Sequence, residues 1–213
     1  MPYPDTAAVI LAGGLARRMG GGDKGLLAVG GIPIIQRVIA IIRPQVGALV
    51  LNANGDPARF QSLGLPVVPD SVPDFAGPLA GVLAGLDALP PGCRWLLSVP
   101  SDTPFLPADL ASRLHAAVTG ADIACARSDG RRHPVAALWP AGLAPALRHA
   151  LTVEGVRKME AFTQHYRVAL ADFPIDPVDP FFNANTPEDL AEAERLLALT
   201  RLAPGRGGGG DRR

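Results

Sequence analysis

Glycine and basic residues are concentrated in one segment near the start of the chain. Residues 11–24 read Leu-Ala-Gly-Gly-Leu-Ala-Arg-Arg-Met-Gly-Gly-Gly-Asp-Lys. Glycines let the backbone approach a ligand closely, successive N–H groups can cradle a phosphate, and Arg17 and Lys24 supply positive charge. The segment therefore predicts a phosphate site for a nucleotide, with Gly13 and Gly14 as backbone contacts. From composition alone it also fits a flexible turn with solvated arginines.

This segment matches neither of the two common phosphate-binding motifs. It contains no Gly-x-x-x-x-Gly-Lys-Ser/Thr, which would mark a P-loop, and no Gly-x-Gly-x-x-Gly, which would mark a dinucleotide-binding turn.

Polar residues follow two further hydrophobic runs that are typical of strands. Asn52 follows Leu51, and Asp70 comes shortly after Val68. Each alone is most often a turn or cap residue, but together they could donate to and accept from a base or ribose. Gly77 opens a helix with bare backbone, which suits tight packing or contact with a flat base.

Asp102 is the strongest acidic candidate. It lies just beyond the buried run that ends at Val99. Mg²⁺ prefers one or two carboxylates plus substrate phosphates, so Asp102 is a natural ligand for it. The other interpretation of Asp102 is a turn or cap residue before Pro104.

Asn183 and Asn185 precede the last helix and could complete the metal site or cap that helix.

These residues must be positioned by alternating strands and helices. Such alternation predicts an α/β fold, a single Rossmann-like domain with a mainly parallel sheet, helices on both faces and ligands beyond the carboxyl ends of the strands. The expected strands are 7–11, 48–51, 67–68, 94–99, 122–126, 135–139 and 168–171, and the expected helices are 33–42, 57–63, 78–89, 107–118, 141–151, 156–164 and one from 187. Residues 1–200 are expected to form the domain, and residues 201–213 a disordered tail.

The composition argues against several classes of partner. The 20 Lys and Arg residues balance the 20 Asp and Glu residues, so the excess positive charge that favours nucleic-acid binding is absent. Two cysteines cannot build a disulfide framework or a four-cysteine metal site. No run approaches the roughly 20 apolar residues of a membrane span, and the first residues lack the charge order of a secretory signal. We expect a cytoplasmic protein that binds neither nucleic acid nor membrane.

Taken together, the motifs resemble those of the molybdenum cofactor guanylyltransferases, within the nucleotidyltransferase superfamily. The resemblance covers residues from about 7 to 197, and the segments that carry it occur in the family's order. They are Leu11-Ala12-Gly13-Gly14, Arg17-Arg18-Met19-Gly20, Asp23-Lys24-Gly25-Leu26-Leu27, Asn52-Ala53-Asn54, Asp70-Ser71, Gly77-Pro78-Leu79-Ala80-Gly81, Ser101-Asp102-Thr103-Pro104 and Asn183-Ala184-Asn185-Thr186-Pro187-Glu188.

The resemblance implies the Rossmann-like nucleotidyltransferase fold for this single domain, and transfer of GMP from GTP to the terminal phosphate of molybdopterin or its molybdenum-loaded form. The products would be the guanine dinucleotide cofactor and diphosphate. Asp102 would hold Mg²⁺, and Arg17 and Lys24 would offset phosphate charge during catalysis. The family also implies a protein that delivers the pterin and molybdoenzymes that accept the product. The residues implied to bind GTP are Leu11, Ala12, Gly13, Gly14, Lys24, Asn52, Asp70, Gly77 and Asp102.

The acceptor side of the site is less defined. Arg132 and His133 lie in a segment that resembles the family's variable middle region, and they are candidates to receive the pterin phosphate. Asn183 and Asn185 are candidates for a pterin or a second metal contact. A histidine flanked by arginines is more often a solvated loop residue.

Three alternatives remain open. Cytidylyltransferases that make the cytosine dinucleotide generally resemble Leu-Ala-Ala-Gly in the first loop and carry Asp before the late Thr-Pro-Glu-Asp, so Gly13 and Asn185 favour guanine. A sugar-1-phosphate nucleotidyltransferase is disfavoured because the chain leaves little room for a sugar domain. A non-catalytic GTP-binding module would not need both Lys24 and Asp102.

Overall fold

The computed structural model describes residues 2–12, 24–72 and 77–202. The strands are β1 (Tyr3–Leu11), β2 (Ala28–Val29), β3 (Ile32–Pro33), β4 (Val46–Asn52), β5 (Val67–Val68), β6 (Trp95–Pro100), β7 (Ile123–Ser128), β8 (Arg131–Pro140) and β9 (Val168–Phe173). The α-helices are α1 (Ile34–Ile42), α2 (Pro78–Asp87), α3 (Leu110–Ala117), α4 (Ala144–Thr152), α5 (Met159–Thr163) and α6 (Pro187–Leu202).

Seven strands form the central sheet, in the order β5-β4-β1-β6-β8-β7-β9. Every neighbouring pair is parallel except the two that involve β8, which confirms the expectation of a mainly parallel sheet. β8 reverses because only Asp129 and Gly130 connect it to β7. Both have positive φ, 46° and 71°, as a two-residue hairpin turn requires, and such a turn joins antiparallel strands.

Helices cover both faces of the sheet, as expected. One hydrophobic cluster packs apolar side chains of α1, α3 and α6 against the sheet, and the other packs those of α2, α4 and α5 against the opposite face. The strand residues alternate between the two clusters: Ala8 and Ile10 belong to the first, and Val9 belongs to the second. This is the pattern of a sheet buried on both sides.

Several elements differ from the sequence-based expectations. Residues 57–63 form a 3-10 helix, the helix expected over 107–118 begins at Leu110, and the one expected over 156–164 contracts to Met159–Thr163. The β2–β3 hairpin was not anticipated. Its turn is Gly30-Gly31, with φ of 61° and 72°, and glycine adopts this left-handed conformation without a Cβ clash.

The last helix, α6, ends at Leu202. Most of the expected tail, residues 203–213, lies outside the described residues. Among the helices described, none is long and apolar enough to cross a membrane.

His115 lies in an aromatic cluster at the amino end of the sheet, far along β1 from the residues expected to bind nucleotide. Its ring stacks on Tyr3 with centroids 4.1 Å apart, and its Nε2 lies 2.9 Å from Thr6 Oγ1. Burial lowers the pKa of His115, while the nearby Asp5 carboxylate raises it and Arg94 lowers it. The neutral imidazole is therefore favoured in the folded protein.

This cluster predicts a pH-dependent stability. As the pH falls below about 6.5, the unfolded chain protonates His115 before the folded protein does, so the free energy of unfolding decreases. We expect His115→Gln to give a shallower slope of unfolding free energy against pH, measured by urea denaturation between about pH 5 and pH 7. A wild-type slope in His115→Gln would contradict the prediction.

Candidate active site

Parallel register brings the predicted nucleotide-binding residues to one edge of the sheet. Leu11 pairs with Asn52 of β4 on one side and with Pro100 of β6 on the other. The carboxyl ends of β1, β4 and β6 are therefore level, and Ser101 N donates to Leu11 O at 3.3 Å. Asp102 follows directly, so the structure places it at the same edge as Leu11 and Asn52.

The backbone amide of Ala12 is already used within the fold. It donates to Asn52 O at 2.9 Å, which extends the β1–β4 ladder by one step. Ala12 would therefore meet a nucleotide through its carbonyl or side chain rather than its N–H. The amides of the predicted phosphate cradle must come from later residues; Gly13, Gly14 and Arg17 lie outside the described part of the chain.

Lys24 is described through its backbone, which begins a 3-10 helix at Lys24–Leu26. This helix packs tightly on the turn that leads to Asp102. A Cβ on Gly25 would lie 3.1 Å from Ser101 O and 3.2 Å from Ser101 Cβ, so glycine permits the close approach. The backbone of Lys24 is thus held near the residue that precedes Asp102.

Asn52 and Asp70 meet in a polar cluster, as their positions after neighbouring strands suggested. Asn52 Nδ2 donates to Asp70 Oδ1 at 3.0 Å, and Asn54 Nδ2 donates to Asp70 Oδ2 at 2.8 Å. The backbone amide of Asp70 in turn donates to Asn54 Oδ1 at 2.9 Å. Asn54 was not among the predicted site residues, although the Asn-Ala-Asn repeat was a signal for it. The two amides fix the orientation of the carboxylate.

The start of α2 lies against this cluster. A Cβ on Gly81 would be 2.3 Å from Asn52 Oδ1 and 2.7 Å from Leu11 Cδ2, so only glycine allows this approach without displacement. Gly77, at the helix N-cap, has a φ of 153°, a backbone region that is essentially restricted to glycine. Gly81 therefore lets the helix backbone lie directly against Asn52 and Leu11 at this edge.

We expect Gly81→Ala to reduce stability by about 1–3 kcal/mol, because the new methyl group overlaps Asn52 and must displace it. The affinity for GTP should fall with it, as Asn52 supports Asp70. Urea denaturation and fluorescence titration with a labelled GTP analogue would measure both effects. Gly142→Ala is the control, since a Cβ there meets nothing within 4 Å; similar behaviour of the two variants would refute the packing argument.

Asp102 is held beside the segment that carries the late asparagines. Ala184 N donates to Asp102 O at 3.0 Å, and Thr103 Oγ1 donates to Asn183 Oδ1 at 2.6 Å. Thr103 is fully buried, so this contact ties the loop after β6 firmly to the segment before α6. Asn183 and Asn185 flank Ala184, so they lie on the segment that contacts the backbone of Asp102.

The helix that follows is capped by other residues. Asp189 N donates to Thr186 Oγ1 at 3.1 Å, and Asp189 Oδ2 accepts from the backbone amides of Asn185 and Thr186 at 2.9 Å each. This reciprocal pattern is a capping box made by Thr186 and Asp189. The side chain of Asn183 bonds to Thr103 and is not the helix cap.

The surroundings of Asp102 fit a hard divalent cation. Within the described residues, no group of three or more His, Cys, Asp or Glu side chains could hold a metal by itself. Mg²⁺ does not need such a group, because it binds through one or two carboxylates, neutral oxygens and the phosphates of its substrate. Asp102 is half-buried at the carboxyl edge of the sheet, where its carboxylate could supply one such ligand and substrate phosphates the others.

His133 and Arg132 lie at the start of β8. His133 Nε2 is 2.7 Å from Ser128 Oγ, and its ring stacks on Phe181 with centroids 4.4 Å apart. Burial lowers the pKa of His133, against a raising effect of Asp179 and with a lowering effect of Arg131. Arg132 is exposed and borders a cavity of about 440 Å³ between α5 and the sheet. The contact of either residue with a pterin phosphate stays a prediction.

Comparison with known proteins assigns the family. The family described as the MobA-like NTP transferase domain matches residues 8–169, a range that includes the glycine-rich segment, Asn52, Asp70 and Asp102. The chain belongs to this family. The prediction of a nucleotidyltransferase related to the molybdenum cofactor guanylyltransferases is therefore confirmed.

Relatives of this MobA-like chain carry more specific names. A protein of Rhodopseudomonas palustris (strain BisB5) named molybdenum cofactor guanylyltransferase is 57% identical over 91% of this chain and 95% of its own length. One of the same name from Nitrobacter hamburgensis is 55% identical over 92% of this chain and 96% of its own length. Molybdopterin-guanine dinucleotide biosynthesis protein A of Archaeoglobus fulgidus shares the fold, with a TM-score of 0.70 and 24% identity over 91% of this chain and 99% of its own.

Proposed function

We propose that this protein transfers GMP from GTP to the terminal phosphate of molybdopterin or molybdenum cofactor, forming the guanine dinucleotide cofactor and diphosphate. The observation that carries the proposal is the convergence of Leu11, Asn52, Asp70 and Asp102 at the carboxyl edge of β1, β4 and β6. The names of relatives more than half identical to the chain support guanine and the pterin acceptor.

The order of the strands suggests how GTP lies along this edge. β4, β1 and β6 are neighbours, so the ends of β4 and β6 are about 10 Å apart, two strand spacings. That distance suits a nucleotide with its base or ribose at Asn52 and Asp70 and its α-phosphate near Asp102. Gly77 would border the base, and Gly13, Gly14, Arg17 and Lys24 would contact the phosphates.

In this arrangement the reaction needs no nucleophile from the protein. The terminal phosphate of the pterin attacks the α-phosphorus in line, a new P–O bond forms, and the bond to the departing diphosphate breaks. Catalysis of such a transfer comes from positioning and electrostatic stabilisation. Arg17, Lys24 and the loop amides would offset the negative charge on the phosphoryl oxygens.

Asp102 would also hold the metal, with Asn183 and Asn185 close by. When bound there, Mg²⁺ would supply charge stabilisation for the α-phosphate and the departing diphosphate. The side chains already bound within the fold, such as Thr103 to Asn183, would orient these donors before substrate arrives.

A comparison of nucleotides tests the proposal against its alternatives. With Mg²⁺ and molybdopterin, we expect diphosphate release from GTP to exceed that from CTP by about 100-fold or more in kcat/KM, because hydrogen-bonding sites reject a wrong base strongly. Preference for CTP would indicate the cytidylyltransferase. Tight binding of GTP without diphosphate release would indicate the non-catalytic module.

The remaining partners are proposed from the family alone. A protein that delivers the pterin, molybdoenzymes that receive the product, and a cytoplasmic location all stay predictions.

A further inference from the structure

A chain of hydrogen bonds joins β7, β8 and the segment before α6. Ser128 Oγ donates to Asp179 Oδ1 at 2.8 Å and lies 2.7 Å from His133 Nε2. Phe181 N donates to the same Asp179 oxygen at 3.0 Å. Ser128 is 1% exposed, so its hydroxyl is removed from competing water.

The donors and acceptors of this chain determine the tautomer of His133. An ionised carboxylate only accepts, so the single hydroxyl hydrogen of Ser128 goes to Asp179. Ser128 Oγ must then accept from His133, which places a hydrogen on Nε2. In the neutral ring this leaves Nδ1 as an acceptor. Such a ring has no further hydrogen to donate, so it is poorly suited to bind a phosphate oxygen. The neighbouring arginines, by contrast, are cationic donors.

The same chain anchors the segment that reaches Asp102. Phe181 stacks on His133 and also meets Phe173 edge-on at 5.2 Å. Three residues later, Ala184 N donates to Asp102 O. Residues 179–185 are therefore fixed at one end by Asp179 and Phe181 and at the other by Asp102, with Asn183 between these anchors.

We propose that Ser128 and Asp179 are positioning residues for the transfer reaction. They hold His133 as the neutral Nε2–H tautomer, and they hold residues 179–185, with Asn183 and Asn185, in place around Asp102. The part of this proposal that concerns turnover rests on the proposed function, whereas the tautomer and the anchoring of the segment concern the free protein.

Nitrogen NMR of the imidazole rings tests the tautomer directly. The chain has four histidines, so the His133 signals can be assigned by comparison with a His133→Gln spectrum. In the wild-type protein near neutral pH, we expect a protonated Nε2 and an unprotonated Nδ1, and in Ser128→Ala a mixture of both tautomers. A doubly protonated ring, or hydrogen on Nδ1 alone, would overturn the proposal.

Amide hydrogen exchange tests the anchoring. Ser128→Ala should speed the exchange of the Ala184 amide by about 10-fold, because one anchor of its segment is lost. Ser98→Ala is the matched control: Ser98 is also fully buried in the sheet and bonds to Val135 O and Trp139 Nε1. Equal changes at Ala184 in the two variants would show that the effect is a general loss of stability.

Kinetics tests the consequence for the reaction. Ser128→Ala should lower kcat by about 10-fold while GTP affinity changes less than about 2-fold. Ser98→Ala should keep the wild-type kcat. Asp179→Asn can present Oδ1 to both Ser128 and Phe181, so it should recover most of the activity that Asp179→Ala loses.

The outcomes separate the two proposals. If wild-type protein does not convert GTP and molybdopterin, the proposed function fails, and NMR and hydrogen exchange still decide whether the network acts as described. If the wild type is active and Ser128→Ala and Asp179→Ala keep kcat within about 2-fold, the positioning role is wrong although the function stands. Should Ser128→Ala not fold, the pair Asp179→Asn and Asp179→Ala provides the same comparison.

Discussion

Replacing Asp102 with alanine should lower kcat by a factor of about 10³ or more and leave the fold intact. Asp102 lies just beyond the end of β6, at the edge of the sheet where the α-phosphate is expected. Its backbone carbonyl, not its side chain, makes the bond to Ala184, so the tie to the late segment survives the substitution. Steady-state kinetics with GTP, Mg²⁺ and molybdopterin would measure the loss, and thermal unfolding would check the fold.

Asp109→Ala is the matched control. Asp109 follows Asp102 on the same connection to α3, and its side chain is 49% exposed and paired with Arg113 at 2.7 Å. This variant should retain wild-type turnover. If Asp102→Ala kept turnover within about 10-fold of the wild type, the metal would have to bind elsewhere.

Asp70→Asn should raise the KM for GTP by about 100-fold, with a smaller effect on kcat. The two carboxylate oxygens of Asp70 accept from the amides of Asn52 and Asn54. An asparagine at 70 must turn its own amide nitrogen towards one of these donors, so one hydrogen bond is replaced by a donor–donor contact. The substitution also removes the negative charge offered to the base or ribose. Initial rates over a range of GTP concentrations would separate KM from kcat.

Asp56→Asn is the corresponding control, in the connection between β4 and β5. Asp56 Oδ1 accepts from Ala58 N at 2.9 Å and caps the 3-10 helix at Pro57–Leu63, and asparagine is an equally good cap. Its KM for GTP should match that of the wild type. An unchanged KM in Asp70→Asn would mean that the Asn52–Asp70–Asn54 cluster supports the sheet rather than the nucleotide.

Much of the nucleotide side of the site was predictable because it depends on short-range patterns. Hydrophobic runs end at Leu51, Val68 and Val99, and parallel strands place whatever follows them at one edge. The polar residues Asn52, Asp70 and Asp102 therefore converge without any knowledge of their side-chain contacts. These patterns did not predict the role of the Ala12 amide, which donates to Asn52 O and extends the β1–β4 ladder instead of binding a phosphate.

The contacts that the sequence did not reveal are those between distant residues or those set by a turn. Ser128 and Asp179 are 51 positions apart, and neither has a local pattern that announces the other. The reversal of β8 had a local signal in Asp129-Gly130, a dipeptide typical of a hairpin turn, but alternating elements alone favoured parallel strands. From the sequence, His133 was a candidate contact for the pterin phosphate. In the fold its burial against Phe181 and Ser128 favours the neutral imidazole.

The most direct measurement is the identity of the product formed when purified protein receives molybdopterin, Mg²⁺ and equal concentrations of GTP and CTP. Mass spectrometry of the reaction mixture should show molybdopterin joined to guanosine monophosphate, with one diphosphate released for each dinucleotide formed. A cytosine dinucleotide as the main product, or the absence of any dinucleotide from folded protein that binds GTP, would contradict the account.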